Sequence, residues 1–492
     1  MDVFFNWFER HGGAIDRAAM KIGEIPGCAR GAIALQDLPE GHTLFTIPRD
    51  LTLSTRTSAL PSKLGLSTWK QYGLHVGWAG LILCMMWEEA QGAESKWDGY
   101  MSILPSEFDT PMFWSEAELD ELKGTSVVDK IGEADAEKDF HDKVLPVIQS
   151  RSDLFPSEAI IQYYTLERYH VMGSRVLSRS FQVSKWEGEA EDQDNVPTEA
   201  NTSVDSAAMD VDASPSPSEH KEDHDEDDED DNEDNPADVA MVPMADMLNA
   251  RYESENAKLF YEEHNLKMIT TKAIMAGEQI WNTYGDPPNS DLVRRYGHVD
   301  LLPLQPPLSG SGNMADNVEI RADLVVHAVS KLKGNLAVHQ ERIDWWLEEA
   351  EDDTFVVFTD CDLPQELISL TRLLLQSEAE WIKTQTKGKL PKPMVDSDLL
   401  SVAIEVLQSR LAEYPTSVQE DEALLADGTL STNVRNAVVV RLGEKRILAG
   451  TIAGARSQLE RSQASDSSKG NSKRKRAEQE QAKSKRDKKA RQ

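Results

Sequence analysis

The sequence predicts an α+β protein. A β-rich unit is split into two sequence halves around a helical insert, and a helical C-terminal domain follows. Three observations predict it. Short apolar runs bounded by Gly and Pro occupy 27–54 and recur at 239–284, which is the pattern of β-strands. Helical periodicity fills most of the stretch between them and most of the chain beyond 301. The two are divided at 187–238 by a stretch with no apolar period, dominated by Asp, Glu, Ser and Pro.

Phe4, Phe5, Trp7 and Phe8 begin a short helix that His11-Gly12-Gly13 ends. Ala32-Ile33-Ala34-Leu35 and Thr43-Leu44-Phe45-Thr46-Ile47 read as strands on either side of the turn at Pro39-Glu40-Gly41. From 73 to about 184 the pattern is mostly helical, with Trp78, Leu81, Ile82 and Met85 on one face and a later helix carrying Tyr163, Leu166, Tyr169, His170 and Gly173. The stretch 187–238 cannot bury enough apolar surface to offset its ordering entropy, so it is expected to be disordered. Ala257–Tyr261 and 266–270 flank a Glu-Glu-His-Asn turn as a hairpin would. Helices are expected at 324–336, 341–350, 366–382, 399–414 and 435–454. The expected organisation is a β-rich domain over 1–300, in halves at about 20–72 and 239–300 around an insert at 73–186. The acidic loop 187–238, a helical domain at 301–465 and a basic tail at 466–492 complete it.

At 492 residues the chain can hold two or three domains with sizeable cores. The formal charge of −34 is segregated. The stretch 187–238 holds 22 acidic residues and one basic, whereas 469–492 holds 11 basic and 3 acidic. The remainder is still acidic, which argues against direct nucleic-acid binding by the core and for a basic protein or peptide partner. Cys28, Cys84 and Cys361 lie far apart with no C-x-x-C pair, which excludes a zinc cluster or a disulfide framework as expectations. The apolar run 76–87 is too short to span a bilayer, and 1–24 does not resemble a signal peptide, so no membrane association is expected. The tail bears Lys473-Arg474-Lys475-Arg476, Lys485-Arg486 and Lys488-Lys489, which read as a nuclear localisation signal or as an RNA-contacting tail. A monomer is expected.

The most informative stretch is 242–300, with Val-Pro-Met-Ala-Asp-Met-Leu-Asn-Ala followed by Asn-Thr-Tyr-Gly and Arg-Arg-Tyr-Gly. Asn carries both donor and acceptor groups and suits a polar junction between chain crossings. Tyr can orient an amine through one hydroxyl without adding charge. Alone, Tyr284 reads as a strand-end core residue, Asn249 as a turn residue, Cys28 as a packing residue and the pair Trp345-Trp346 as helical core.

Together with Gly27-Cys28-Ala29-Arg30-Gly31, these motifs resemble the SET-domain protein-lysine N-methyltransferases. The subgroup is the one with a Rubisco-methyltransferase-like C-terminal domain. The resemblance implies a SET-domain β-fold of small sheets with a pseudoknot-like core, an all-helical C-terminal substrate-binding domain, S-adenosyl-L-methionine as cofactor and no metal. It implies that Tyr284 orients the lysine amine as the catalytic residue and that Tyr296 packs near the cofactor and closes the lysine channel. Asn249 with its neighbour Ala250, the turn Cys28-Ala29-Arg30 and Arg179 would bind the cofactor, Arg179 at its carboxylate. Many relatives carry His where Ala250 stands, and an aromatic residue where His298 stands. Within the subgroup, D-M-L-N-A and N-T-Y-G…R-R-Y-G are most similar to enzymes of ribosomal proteins. The expected substrate is therefore a large-subunit ribosomal protein, with monomethylation as the expected product and dimethylation left open. A histone or transcription factor as target, and a non-catalytic SET-fold adaptor for basic proteins, are the other readings.

Overall fold

The protein is described here by a computed structural model covering residues 1–25, 29–186, 235–334, 340–350 and 353–489, with side chains to 464 apart from that of Ala29. The chain forms two compact units. The first comprises Met1–Trp114, Asp129–Pro287 and Asp291–His298, and the second comprises Ser115–Val128, Pro288–Ser290 and Val299–Gln492.

In the first unit the two β-rich sequence halves share their sheets. A four-stranded antiparallel sheet runs in the order Ala14–Ile15, Thr43–Pro48, Asn265–Thr270, Ala257–Tyr261. A second sheet runs Met20–Ile25, Ala29–Ala34, Gln279–Ile280. Its inner face is built by alternation: Met20, Ile22, Ala32, Ala34 and Ile280 are buried, and the residues between them face outward. The expected hairpin is present, with Ala257 paired to Thr270 and Tyr261 to Leu266. The opening helix Asp2–Arg10 buries Phe4, Phe5, Trp7 and Phe8. Ala79–Gln91 is buried along almost its whole length, and Leu166–Arg179 packs against it.

The acidic stretch lies outside the described residues from 187 to 234, and so does the expectation that it is disordered. Its flanks are described. Pro236–Asp238 forms a single turn inside the range expected to be disordered. Ser180–Gln182 then pairs antiparallel with Val239–Met241, and the Val183 amide donates to the Asp238 carbonyl at 2.7 Å. The Arg56 guanidinium ties both sides, bonding the Asp238 carboxylate and the Val183 carbonyl.

The second unit is helical: Ala322–Lys333, Gln340–Glu349, Gln365–Leu375, Glu378–Lys387, Ser397–Leu411, Val418–Asp427 and Thr432–Lys489. Two small antiparallel pairs accompany the helices, Leu302–Pro303 with Ser311–Gly312 and Asn317–Arg321 with Thr354–Phe358. The helix expected at 366–382 is two helices. Ser377 caps the second through its hydroxyl and Glu380, so the chain breaks there. Trp345 and Trp346 are buried against Trp381 and Phe355, as core.

Buried charge also organises this unit. Asp421 pairs with Arg441 and Lys445, and Arg441 also reaches Glu121. Glu444 accepts from the Tyr414 hydroxyl and lies 3.6 Å from Arg410. Asp316 accepts from the Asn289 amide at 2.8 Å and the Asn313 amide at 3.3 Å. Burial pushes both Asp316 and Glu444 up to about 7. Among the described residues no helix is long and apolar enough to cross a membrane.

Candidate active site

Three segments remote in sequence meet in the first unit. The strand Ala29–Ala34 brings Gly31 to the meeting point. The run 242–250 arrives as a tight turn: Met244, wholly buried, takes φ +79°, and Ala245–Met247 forms one turn of 3₁₀ helix. A non-glycine residue in that conformation is strained and persists only where its surroundings over-determine it. The third segment follows Gln279–Ile280 and carries Asn282 and Tyr284.

Asn249 is the junction. Its Nδ2 donates to the Arg30 carbonyl at 3.0 Å, and its own carbonyl accepts from the Asn282 amide at 2.9 Å. Ala250 bridges Asn282 in parallel through its backbone, so the position needs no imidazole for this contact. Gly31 is required here, because a Cβ would lie 2.7 Å from Asn249 Nδ2.

The Tyr284 hydroxyl donates to the Leu248 carbonyl at 3.3 Å. Its ring stacks on Tyr296 with centroids 4.3 Å apart and planes 10° from parallel. Tyr296 in turn lies 6.0 Å from the His298 ring. Burial pushes the Tyr296 hydroxyl up to about 12, so it is neutral at physiological pH. The intervening Gly297 has φ +73° and packs on the backbone of Asp109, 2.8 Å from where a Cβ would be.

The remaining expected residues divide. Ala29 belongs to the strand facing Ile25. Arg30 contributes its carbonyl, while its guanidinium is turned to the Ile103 carbonyl at 2.8 Å. Cys28 lies outside the described residues. Arg179 is held by Asp246, with Nη1 at 2.7 Å from the carbonyl and 3.4 Å from the carboxylate. Its Nε is buried without a partner.

Asp246 and Tyr100 are site residues that the sequence motifs do not single out. The Tyr100 hydroxyl donates to Asp246 Oδ2 at 2.9 Å. Burial raises the Asp246 carboxyl above its usual range, against the pull of Arg179, Tyr100 and Arg30. Burial and the neighbouring carboxylate raise the Tyr100 hydroxyl well above its own. An acid inside the apolar run Val-Pro-Met-Ala-Asp-Met-Leu is the available signal for Asp246; Tyr100 offers none. Among the described residues no group of three or more His, Cys, Asp or Glu is arranged to hold a metal ion.

The chain is similar to known proteins along most of its length. Residues 334–448 match the family model described as Rubisco LSMT substrate-binding. The N-lysine methyltransferase setd6 of Danio rerio is 30% identical over 453 residues, covering 85% of this chain and 87% of that protein. Ribosomal lysine N-methyltransferase 4 of Saccharomyces cerevisiae is 28% identical over 363 residues, covering 70% of this chain and 65% of that protein, just under two thirds of its length. The solved SET domain of LSMT bound to lysine and AdoHcy superposes with a TM-score of 0.63 at 19% identity, covering 93% of this chain and 91% of that one.

Proposed function

The chain belongs to the SET-domain protein-lysine N-methyltransferases, and from that premise we propose that it monomethylates a large-subunit ribosomal protein with S-adenosyl-L-methionine. The observation that carries the chemistry is the stacked pair Tyr284 and Tyr296, with the Tyr284 hydroxyl at the Leu248 carbonyl beside Asn249. Support for the substrate comes from the yeast relative, named a ribosomal lysine N-methyltransferase. The formal charge of −34 suits a basic protein target.

The residues present fit the cofactor. The buried, unpartnered Nε of Arg179 is an orphaned donor in the site, and Gly31 lets the Asn249 amide pack directly against its strand. Bound there, S-adenosylmethionine supplies a methyl group activated on a sulfonium sulfur. Asn249 would hold its amino-acid end, and the unpartnered Nε of Arg179 is a further donor for its carboxylate. Transfer by direct displacement needs an aligned, neutral amine. Tyr284 orients that amine by a hydrogen bond from or to its hydroxyl. Tyr296 fixes the Tyr284 ring by stacking and excludes water, and desolvation of the channel lowers the lysine pKa. The basic clusters at 473–476, 485–486 and 488–489 support a nuclear location.

The test is transfer of radiolabelled methyl from S-adenosylmethionine into purified large-subunit ribosomal proteins, comparing wild type with Tyr284→Phe. One labelled band that disappears in the variant is expected, with one added methyl by mass. Label in histones but in no ribosomal protein overturns the substrate. No label in any basic protein, with no cofactor binding by calorimetry, overturns the activity.

A further inference from the structure

Both ends of the segment that carries Tyr296 are fastened by side chains that no role yet uses. Asn289 opens the helix Asn289–Tyr296 and is wholly buried. Its Nδ2 donates to the Asp300 carbonyl at 3.1 Å, and its Oδ1 accepts from the Asp300 amide at 2.7 Å. One side-chain amide thus pairs with one backbone residue in both directions, and the stretch 289–300 closes on itself. An amide that spends donor and acceptor on a single partner fixes direction as well as distance.

Asp316 holds that closure from another side. Its Oδ1 accepts from the Asn289 backbone amide at 2.8 Å, and its Oδ2 from Asn289 Nδ2 at 3.2 Å and the Asn313 amide at 3.3 Å. The Asn289 backbone amide is one that a helix leaves without an internal carbonyl, and a carboxylate there also opposes the helix dipole. Asp316 is backed by Gly443 of the helix Thr432–Lys489, where a Cβ would lie 2.7 Å from Oδ2.

Eight residues of helix carry this fixed start to Tyr296, whose ring stacks on Tyr284. A helix advances about 1.5 Å and turns about 100° per residue, so a slip at Asn289 is delivered to the Tyr296 ring. The far end is stopped as well, the Gly297 amide donating to the Val293 carbonyl at 3.1 Å. We infer that Asn289, with Asp300 and Asp316, is a positioning clamp that sets where Tyr296 stands against Tyr284. This rests on the proposed use of Tyr284 in methyl transfer.

Methyl transfer from S-adenosylmethionine into purified large-subunit ribosomal proteins tests it, in a double-mutant cycle of Asn289→Ala and Tyr296→Leu. Asn289→Ala alone should lower turnover by at least about tenfold, because small misplacements of aligned groups cost that much or more. In the Tyr296→Leu background the same substitution should cost nothing further, since the ring it positions is gone. An equal fold-loss in both backgrounds marks a merely structural side chain and overturns the assignment, as does unchanged turnover in Asn289→Ala. Hydrogen exchange read by mass spectrometry is independent of turnover. Asn289→Ala should speed exchange over 290–298, and wild-type exchange there overturns the clamp. Asp316→Asn keeps the size and one acceptor oxygen, and repeats both measurements where Asn289→Ala does not fold. A wild type that transfers no methyl overturns the reading of Tyr284 itself, and exchange then decides the clamp alone.

Discussion

Tyr284 and Tyr296 lie face to face, centroids 4.3 Å apart and 10° from parallel, with Tyr284 just before a Gly turn and Tyr296 at the end of the helix that follows it. The stack makes the ring position of Tyr284 a property of packing and leaves its hydroxyl for chemistry. Tyr284→Phe keeps the ring and removes the oxygen. Turnover should fall by at least about a hundredfold, while the calorimetric affinity for S-adenosylmethionine and the melting temperature stay near wild type. Near-full activity would remove Tyr284 from the mechanism.

Gly31→Ala tests the floor of the site. The new methyl would meet Asn249 Nδ2 at 2.7 Å and Ile25 Cδ1 at 2.6 Å. Ile25 can turn away, but Asn249 is held by the Arg30 carbonyl. Cofactor affinity should drop by at least about tenfold with an unchanged circular dichroism spectrum. Wild-type affinity would mean that nothing binds against that floor.

Tyr100→Phe leaves the wholly buried Asp246 carboxylate with Arg179 alone. Losing that bond to a buried charged acceptor should cost about 1.5–3 kcal/mol of stability, read by urea unfolding. An unchanged midpoint would show that the carboxylate finds another donor.

The second unit should lose stability as pH rises. Asp316 and Glu444 are both pushed up to about 7 by burial, so the folded state binds protons that the unfolded chain has released. Their contribution is full below the ordinary carboxyl range near 4 and lost as pH passes through about 7. Tyr414, Arg410, the Ser126 amide and Asp316 itself face Glu444, and Asn289, Asn313 and Asp300 act on Asp316. The melting temperature should therefore fall between pH 5.5 and 8.5, and Glu444→Gln should flatten that slope. A slope as steep in the variant as in the wild type would acquit Glu444.

Elements are legible in the sequence where their signals are local. The hairpin Ala257–Tyr261 with Asn265–Thr270 has its alternation and its turn within one short window. Ala79–Gln91 declares itself by period, with Trp78 at its N-cap. The break at Ser377 is masked despite a capping-box pattern, because apolar residues continue across it. The pairing of Asn317–Arg321 with Thr354–Phe358 is not legible, since two helices intervene and register is set by the partner. The final helix, Thr432–Lys489, outruns the expected 435–454 because its later half is polar and carries no apolar period. In the site, the motifs point to Tyr284, Tyr296 and Asn249. The Tyr100–Asp246 bond joins residues 146 apart, and no local pattern encodes such a pairing.

The acidic stretch is fastened at its two flanks. Ser180–Gln182 and Val239–Met241 are zipped together, with Arg56 as a bolt across the Asp238 and Val183 ends. Arg179 and Asp246 sit just inside that zip on either side. The two flanks are thus joined by contacts of their own, which do not depend on what the chain carries between them.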